Sequence, residues 1–163
     1  MVDARVTFTA SAPFGLRVRG RGSELICFAD RQSLIFTVPL RGLTTGISTC
    51  DKTMHDLLAT KRFPTAELRV PRALILIPRP GRRAEGTAEG AMTLRGTTAR
   101  IEASYKIGRQ GGTLEVTGSM RLPVDTWGVV LPRHMGFALK SLVPVKILFS
   151  APARAFLGCD DVP

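Results

Sequence analysis

The side chains best suited to acid–base, redox or metal chemistry are two histidines, His55 and His134, and three cysteines, Cys27, Cys50 and Cys159. A hydrolytic triad needs a nucleophile, a base and an orienting group that converge in space, and no Gly-x-Ser-x-Gly motif marks a nucleophile here. A metal site needs clustered ligands, and the sequence has neither Cys-x-x-Cys nor His-x-His. These patterns favour a binding protein over an enzyme.

Most of the chain alternates between apolar and polar residues with a period of two. Residues 101–107 and 114–122 are the clearest examples, because an apolar or small residue occupies every second position in both. Strict alternation over many segments predicts strands with one buried and one exposed face. Gly- and Pro-rich turn signals, such as residues 108–112, separate the segments. Regularly spaced short strands predict an all-β sandwich or barrel.

One segment follows the helical period instead of the strand period. Met54, Leu57 and Leu58 fall at positions i, i+3 and i+4, which places them on one helical face. Residues 51–60 are therefore predicted to form a short helix laid against the strands. Its three apolar side chains would pack on the mouth of a barrel, line a ligand cavity, or do both as a lid.

The ends of this helix carry their own signals. Ser48 and Asp51 have the spacing of a capping box, with Asp in place of the usual Glu. Pro64 is expected to close the element and start the next strand. His55 is expected on the exposed side of the helix, away from the apolar triplet.

The formal net charge is +10, and most of the 23 basic residues are arginines. Such a balance fits an anionic partner, for example nucleic acid, phospholipid headgroups or diphosphate. A scattered solubilising charge is the favoured interpretation, because only Arg79, Arg82 and Arg83 cluster. Aromatic residues such as Phe8 and Phe36 fall on apolar faces and not among the arginines, where stacking on single strands would need them. We therefore expect no specific binding of nucleic acid.

The 163 residues fit one domain. We predict a barrel domain over residues 1–150 and a C-terminal tail over residues 151–163, because the tail shows no clear period. No run of about 18 apolar residues predicts a membrane-spanning helix. No signal peptide precedes the first strand, which suggests the cytoplasm, whereas removal of a leader would place the protein in the periplasm. A monomer and a homodimer are both compatible with these features.

Four motifs together resemble the YceI-like family of polyisoprenoid-binding, lipocalin-like barrels. In that family a strand ends in Thr-Gly, an Arg-Asp-x-His-Met/Leu helix follows, and a Tyr-Pro or Phe-Pro turn leads into the next strand. The matching positions here are Thr45-Gly46, Asp51, Met54, Leu57-Leu58 and Phe63-Pro64. Later, residues 92–98 resemble the family's Leu-Thr-Ile-x-Gly-Val-Thr turn, and Trp127-Gly128 resembles its Phe-Gly element. The resemblance covers most of residues 4–150. Cys50 and Thr53 depart from it, since they stand where the family has Arg and His.

The resemblance implies an antiparallel, lipocalin-like β-barrel of about eight strands, capped by the helix. It further implies that the barrel carries or sequesters an elongated apolar lipid, such as an isoprenoid quinone or a polyprenyl chain, as its only expected bound group. Small and large residues mix on the inward faces, which fits either a tunnel or the taper of a filled barrel. The predicted ligand-binding residues are Phe36, Met54, Leu57, Leu58, Phe63, Met92, Ala103, Tyr105, Gly118, Met120 and Trp127.

Two other hypotheses share the same strand pattern. In the first, the barrel is filled, and the protein acts through its basic outer surface on another protein or an anionic polymer. In the second, the strands form an outer-membrane barrel, which would need aromatic girdles that one Trp and one Tyr do not supply. A tunnel predicts that bulky side chains at Ala103 or Gly118 abolish lipid uptake, and a filled barrel does not.

Overall fold

The computed structural model describes residues 2–157; Met1 and residues 158–163, including Cys159, lie outside the described residues. Eight antiparallel strands close into a barrel, which confirms the predicted fold class. They are β1 (Val2–Ser11), β2 (Arg17–Ala29), β3 (Ser33–Pro39), β4 (Thr65–Pro71), β5 (Arg83–Leu94), β6 (Thr97–Gln110), β7 (Thr113–Pro123) and β10 (Leu142–Pro152). A short hairpin, β8 (Arg133–His134) with β9 (Phe137–Ala138), interrupts the connection between β7 and β10. The one α-helix, α1 (Ser48–Leu57), lies between β3 and β4.

The barrel is an up-and-down meander in which neighbouring strands along the chain also pair in space. The order around the ring is β1-β10-β7-β6-β5-β4-β3-β2, and pairing of β1 with β2 closes it. Closure leaves no strand edge unpaired. The shortest seam is between β4 and β5, where only Glu67–Arg69 pair with Ala91–Thr93.

The end of the barrel away from α1 holds the most deeply buried large side chains. Leu25 and Leu114 are 0% exposed there, and Ile107 is 2% exposed. These side chains come from different strands and point inward, because alternate residues of a strand face opposite sides of the sheet. We call this half of the barrel the closed end. Leu25 of β2, Ile107 of β6 and Leu114 of β7 lie in it.

The chain beyond residue 150 completes the closed end. Phe156 is 3% exposed, and its ring centroid lies 6.0 Å from that of Phe149 and 6.1 Å from that of Phe36. The domain boundary predicted at residue 150 falls inside β10. Residues 151–163 were predicted to form a C-terminal tail. In the described part of that tail, residues 151–157 pack on the barrel, and the Phe156 ring stacks on Phe149. We call these two rings the aromatic plug.

The helix is present, but it begins at Ser48 and not at residue 51, and it ends at Leu57 and not at residue 60. The capping box predicted for Ser48 is not formed, since Ile47 precedes the first turn and makes no side-chain cap hydrogen bond. The reason is that the Asp51 carboxylate bonds to the preceding loop instead, at Thr45. Within residues 2–157, no helix is long and apolar enough to cross a membrane.

The aromatic plug predicts that Phe156→Ala strongly destabilises the protein. Removal of a ring from so buried a position should lower the free energy of unfolding by about 3–5 kcal/mol, measured by urea denaturation. Arg154→Ala, an exposed change two residues away, is the matched control and should change it by less than about 0.5 kcal/mol. Equal stability of the two variants would show that this segment does not belong to the core.

Candidate ligand-binding site

The half of the barrel next to α1 is hollow. A cavity of about 400 Å³ lies there, and its walls come from inward-facing residues of every barrel strand except β6. The Phe36 ring lines the cavity and also touches the aromatic plug, so it forms the floor between the hollow half and the closed end. Sites for small molecules usually have volumes of about 300–1,000 Å³ and mostly apolar walls. The cavity therefore has the size and lining of a binding site.

The apolar face of α1 covers the cavity as a lid. Met54, Leu57 and Leu58 all line it, as the helical spacing of these residues predicts. None of the residues of α1 is fully buried, although Met54 and Leu57 pack against the barrel core. The lid thus contributes side chains to the cavity without being part of the packed interior.

A polar side of α1, which adjoins the apolar face, is clamped to the loop before the helix. The Asp51 carboxylate accepts hydrogen bonds from the Thr45 hydroxyl (2.6 Å), the Thr45 backbone amide (2.6 Å) and the Thr44 hydroxyl (2.7 Å). One turn later, Nε2 of His55 lies 3.0 Å from the carbonyl oxygen of Leu43, so the ring N–H donates to it. His55 was predicted on the exposed side of the helix, but it is half-buried because its ring bonds to the Leu43 carbonyl.

These hydrogen bonds favour the charged form of Asp51. Donation from the Thr45 hydroxyl, then from the Thr45 amide and the Thr44 hydroxyl, holds the pKa of Asp51 below its ordinary value of 3.8. A nearby His55 contributes in the same direction. The clamp is consequently intact wherever Asp51 is ionised, which includes neutral pH.

The mouth of the cavity is its polar part. Thr49 and Thr53 of α1 line it on one side, and Arg133 and His134 of β8 line it too. Nε of Arg133 donates to the carbonyl oxygen of Gly136 at 2.9 Å, and Arg133 forms no ion pair with any described residue. No Asp or Glu is among the lining residues. The mouth therefore carries a positive charge with hydroxyl groups beside it.

Six of the eleven predicted binding residues line this cavity. They are Phe36, Met54, Leu57, Leu58, Met92 and Met120. The other five, Phe63, Ala103, Tyr105, Gly118 and Trp127, are not among the lining residues. The structure thus brings together the helix residues, both strand methionines and the floor of the cavity.

Trp127 and Tyr105 hold backbone segments in place. Trp127 is 3% exposed, and its indole N–H donates to the Met92 carbonyl oxygen at 3.0 Å, immediately behind the cavity wall. The Tyr105 hydroxyl lies at the closed end, where it accepts from the Leu76 amide (3.0 Å) and donates to the Leu74 carbonyl (3.2 Å). Both polar atoms are therefore used by the fold.

Phe63, Ala103 and Gly118 also lie outside the lining. Phe63 packs so closely on the turn between β5 and β6 that a Cβ on Gly96 would come within 2.8 Å of its ring. Ala103 faces Met120 across the β6–β7 pair, and Gly118 faces Tyr105 two positions along. Strand parity placed Ala103 and Gly118 inside the barrel, but parity does not give the height along the barrel axis.

Sequence reasoning missed several strand residues of the lining, such as Phe8 and Ala66, and three polar residues at the mouth. Thr49 lies before the predicted start of the helix, and Arg133 and His134 lie in a connection without alternation. For His134 the sequence suggested no role. A loop gives no periodic signal, so only the three-dimensional arrangement of β8 against α1 reveals these contributions.

The cysteines differ in environment. Cys50 lines the cavity. Cys27 lies on β2 away from it, and burial raises the pKa of the Cys27 thiol to about 11. Within the described part of the chain, no three His, Cys, Asp or Glu side chains are grouped so that they could hold a metal ion.

Comparisons with known proteins agree on the fold. The model of the YceI-like domain family matches residues 3–151. No curated protein matches the sequence. A polyisoprenoid-binding domain from Saccharophagus degradans, implicated in plant cell wall breakdown, is 16% identical with a TM-score of 0.77, over 92% of this chain and 94% of that one.

Two further solved structures are similar. BcnA from Burkholderia cenocepacia is 14% identical with a TM-score of 0.71, over 93% of this chain and 99% of that one. A YceI protein from Campylobacter jejuni is 14% identical with a TM-score of 0.55, over 83% and 84% of the two chains. At these identities the likeness shows the shared barrel fold alone.

The Asp51 clamp predicts a pH-dependent contribution to stability. A carboxyl whose folded pKa is depressed stabilises the fold above its unfolded pKa, and this stabilisation is lost as pH falls through the folded pKa. Asp51→Ala should therefore lower Tm at pH 7, and the gap to the unmodified protein should narrow as pH falls below about 4. Asp56→Ala, an exposed change on the same helix, is the control. A gap that is independent of pH would contradict the clamp.

Proposed function

The chain belongs to the family of YceI-like domains, and we propose that it binds and carries or sequesters an elongated apolar lipid, such as an isoprenoid quinone or a polyprenyl chain. The single observation that carries this proposal is the apolar cavity of about 400 Å³ beneath α1. The S. degradans protein of the same fold is described as a polyisoprenoid-binding domain, which supports the same class of ligand.

The size of the hydrophobic contribution indicates how long the ligand must be. Burial of one five-carbon prenyl unit contributes about 4 kcal/mol, at roughly 0.8 kcal/mol per buried carbon group. Association itself costs about 4–15 kcal/mol. One unit is therefore too little for stable binding, whereas a chain of several units exceeds the cost. This arithmetic favours polyprenyl compounds over small apolar molecules.

The residues proposed to contact the chain are the six predicted residues that line the cavity. Met54, Met92 and Met120 are suited to this task, because the thioether side chain is flexible and polarisable and adapts to an irregular ligand. The polar end of the ligand would lie at the mouth, near Arg133 and Thr53. The proposed role is binding and not catalysis.

The alternative of a filled barrel that acts through its outer surface needs an interior packed from end to end. Leu114 and Phe156 satisfy this requirement at the closed end. The hollow half beneath α1 does not. We therefore favour the container over the surface-binding module.

Filling the cavity from its wall should abolish ligand binding. Ala66 lines the cavity from β4, so Ala66→Phe is expected to lower the amount of bound farnesol at least tenfold in native mass spectrometry. Ala91→Phe adds the same ring to β5 at a position that pairs with Arg69, away from the cavity lining, and is the control. Extraction of the purified protein with organic solvent should yield a prenyl lipid. Unchanged farnesol binding in Ala66→Phe would contradict the proposed site.

Occupation of the cavity should also protect Cys50 from alkylation. In a Cys159→Ser background Cys50 is the reactive thiol, because the raised pKa of Cys27 leaves little thiolate near neutral pH. Farnesol should slow the reaction of Cys50 with N-ethylmaleimide. A cysteine at the closed end (Thr113→Cys with Cys50→Ser) should react at the same rate with and without farnesol. Equal effects of farnesol on both thiols would argue against binding beneath α1.

A further inference from the structure

The most exposed large apolar side chains are gathered at one end of the barrel. Among the described residues, Phe14 (86% exposed), Val130 (78%) and Met135 (73%) lead in this respect. Phe14 lies in the turn between β1 and β2, and the other two lie in the connection between β7 and β10. Both segments are at the hollow end, next to the mouth of the cavity.

The two segments meet at a ring contact and at a backbone hydrogen bond. The rings of Phe14 and Phe137 meet edge to face, with centroids 5.5 Å apart. The Lys140 amide donates to the Ser11 carbonyl oxygen at 2.7 Å, which ties the two segments together. We call Phe14, Val130, Met135 and Phe137 the rim patch. It borders the mouth, because Arg133 and His134 of the same hairpin line the cavity.

Phe14 and Met135, at the tips of their turns, have a backbone conformation that is unusual for large apolar residues. Phe14 has a φ of 63° and Met135 a φ of 51°, in the left-handed region that bulky side chains rarely adopt. Each residue thus combines an unfavourable backbone conformation with an apolar side chain held in water. Insertion of both side chains into an apolar phase would offset these costs.

The two segments that carry the rim patch hold basic residues and no acidic ones. Residues 11–19 contain Arg17 and Arg19, and residues 128–142 contain Arg133 and Lys140, whereas neither segment contains Asp or Glu. Exposed aromatic and aliphatic tips flanked by Lys and Arg are typical of surfaces that insert at a membrane interface. Juxtaposed basic residues are attracted by anionic lipid headgroups.

We propose that the rim patch docks this protein on the surface of a bilayer that contains anionic phospholipid. Phe14, Met135 and their neighbours enter the interface, and the flanking basic side chains contact the headgroups. The cavity mouth then faces the membrane, so an apolar ligand passes between bilayer and barrel with little exposure to water. Docking is separate from ligand binding, since the rim patch lies outside the cavity.

Vesicle flotation tests this proposal. The unmodified protein should float with vesicles of phosphatidylcholine and phosphatidylglycerol, and much less with phosphatidylcholine alone or at high salt. The double variant Phe14→Asn/Met135→Asn should float roughly tenfold less. Asn tolerates the left-handed backbone conformation, so the fold is expected to persist. Leu76→Asn removes a side chain that is 62% exposed at the closed end and should float like the unmodified protein.

A matched pair of variants tests the contribution of the basic side chains to vesicle binding. Arg17→Gln/Lys140→Gln should reduce flotation, whereas Arg79→Gln/Arg82→Gln removes the same charge from the loop at the closed end and should not. Equal flotation of all variants, or no flotation of the unmodified protein, would overturn the proposal. A dimer in light scattering that Phe14→Asn/Met135→Asn abolishes would also overturn it, because a second copy would then cover the rim patch.

Farnesol binding measured on the same variants separates the two proposals. Phe14→Asn/Met135→Asn should still bind farnesol in native mass spectrometry, although it no longer floats with vesicles. If instead all proteins fail to bind farnesol but the flotation pattern holds, the cavity proposal fails and the docking proposal stands.

Discussion

Closure of the ring by β1 is the constraint on which the rest of the structure depends. Because β1 pairs with both β2 and β10, every strand has a partner on each side, and its alternate side chains must point into one enclosed space. The size of the inward side chains then determines which part of the interior is filled. The Phe36, Phe149 and Phe156 rings pack together in one half, and the other half encloses the cavity. The same barrel thus has a closed end with buried side chains and a half that encloses a cavity.

The lid is held by its polar face, so that its apolar face is available to the cavity. Asp51 and His55 bond to the loop at residues 43–45, and neither group is used on the ligand side. A lid held only by apolar packing would have to give up that packing to admit a ligand. With the polar clamp, hydrogen bonds hold the helix in addition to the packing of Met54 and Leu57. One short helix thus supplies both its own anchor and part of the cavity wall.

Much of the fold was readable from the sequence, because strand alternation and helix spacing are strong local signals. The alternation around Met92 and Met120 and the triplet Met54, Leu57 and Leu58 placed all five side chains on faces that do line the cavity. The positions along the barrel axis were not readable. Ala103, Tyr105 and Gly118 point inward like the methionines, yet they lie outside the lining, since the depth of a residue in a barrel depends on strand stagger. The mouth at Arg133 and the plug at Phe156 come from segments without a period.

The five methionines allow the central claim, that an apolar chain occupies the hollow half, to be tested directly. Three of them, Met54, Met92 and Met120, line the cavity, and Met135 lies on the outer rim. In a protein labelled at its methionine methyl groups, farnesol should shift the NMR signals of Met54, Met92 and Met120 and show nuclear Overhauser contacts to them. The Met135 methyl should show neither in the absence of membrane. Unshifted signals from the three lining methionines at saturating farnesol would contradict the account.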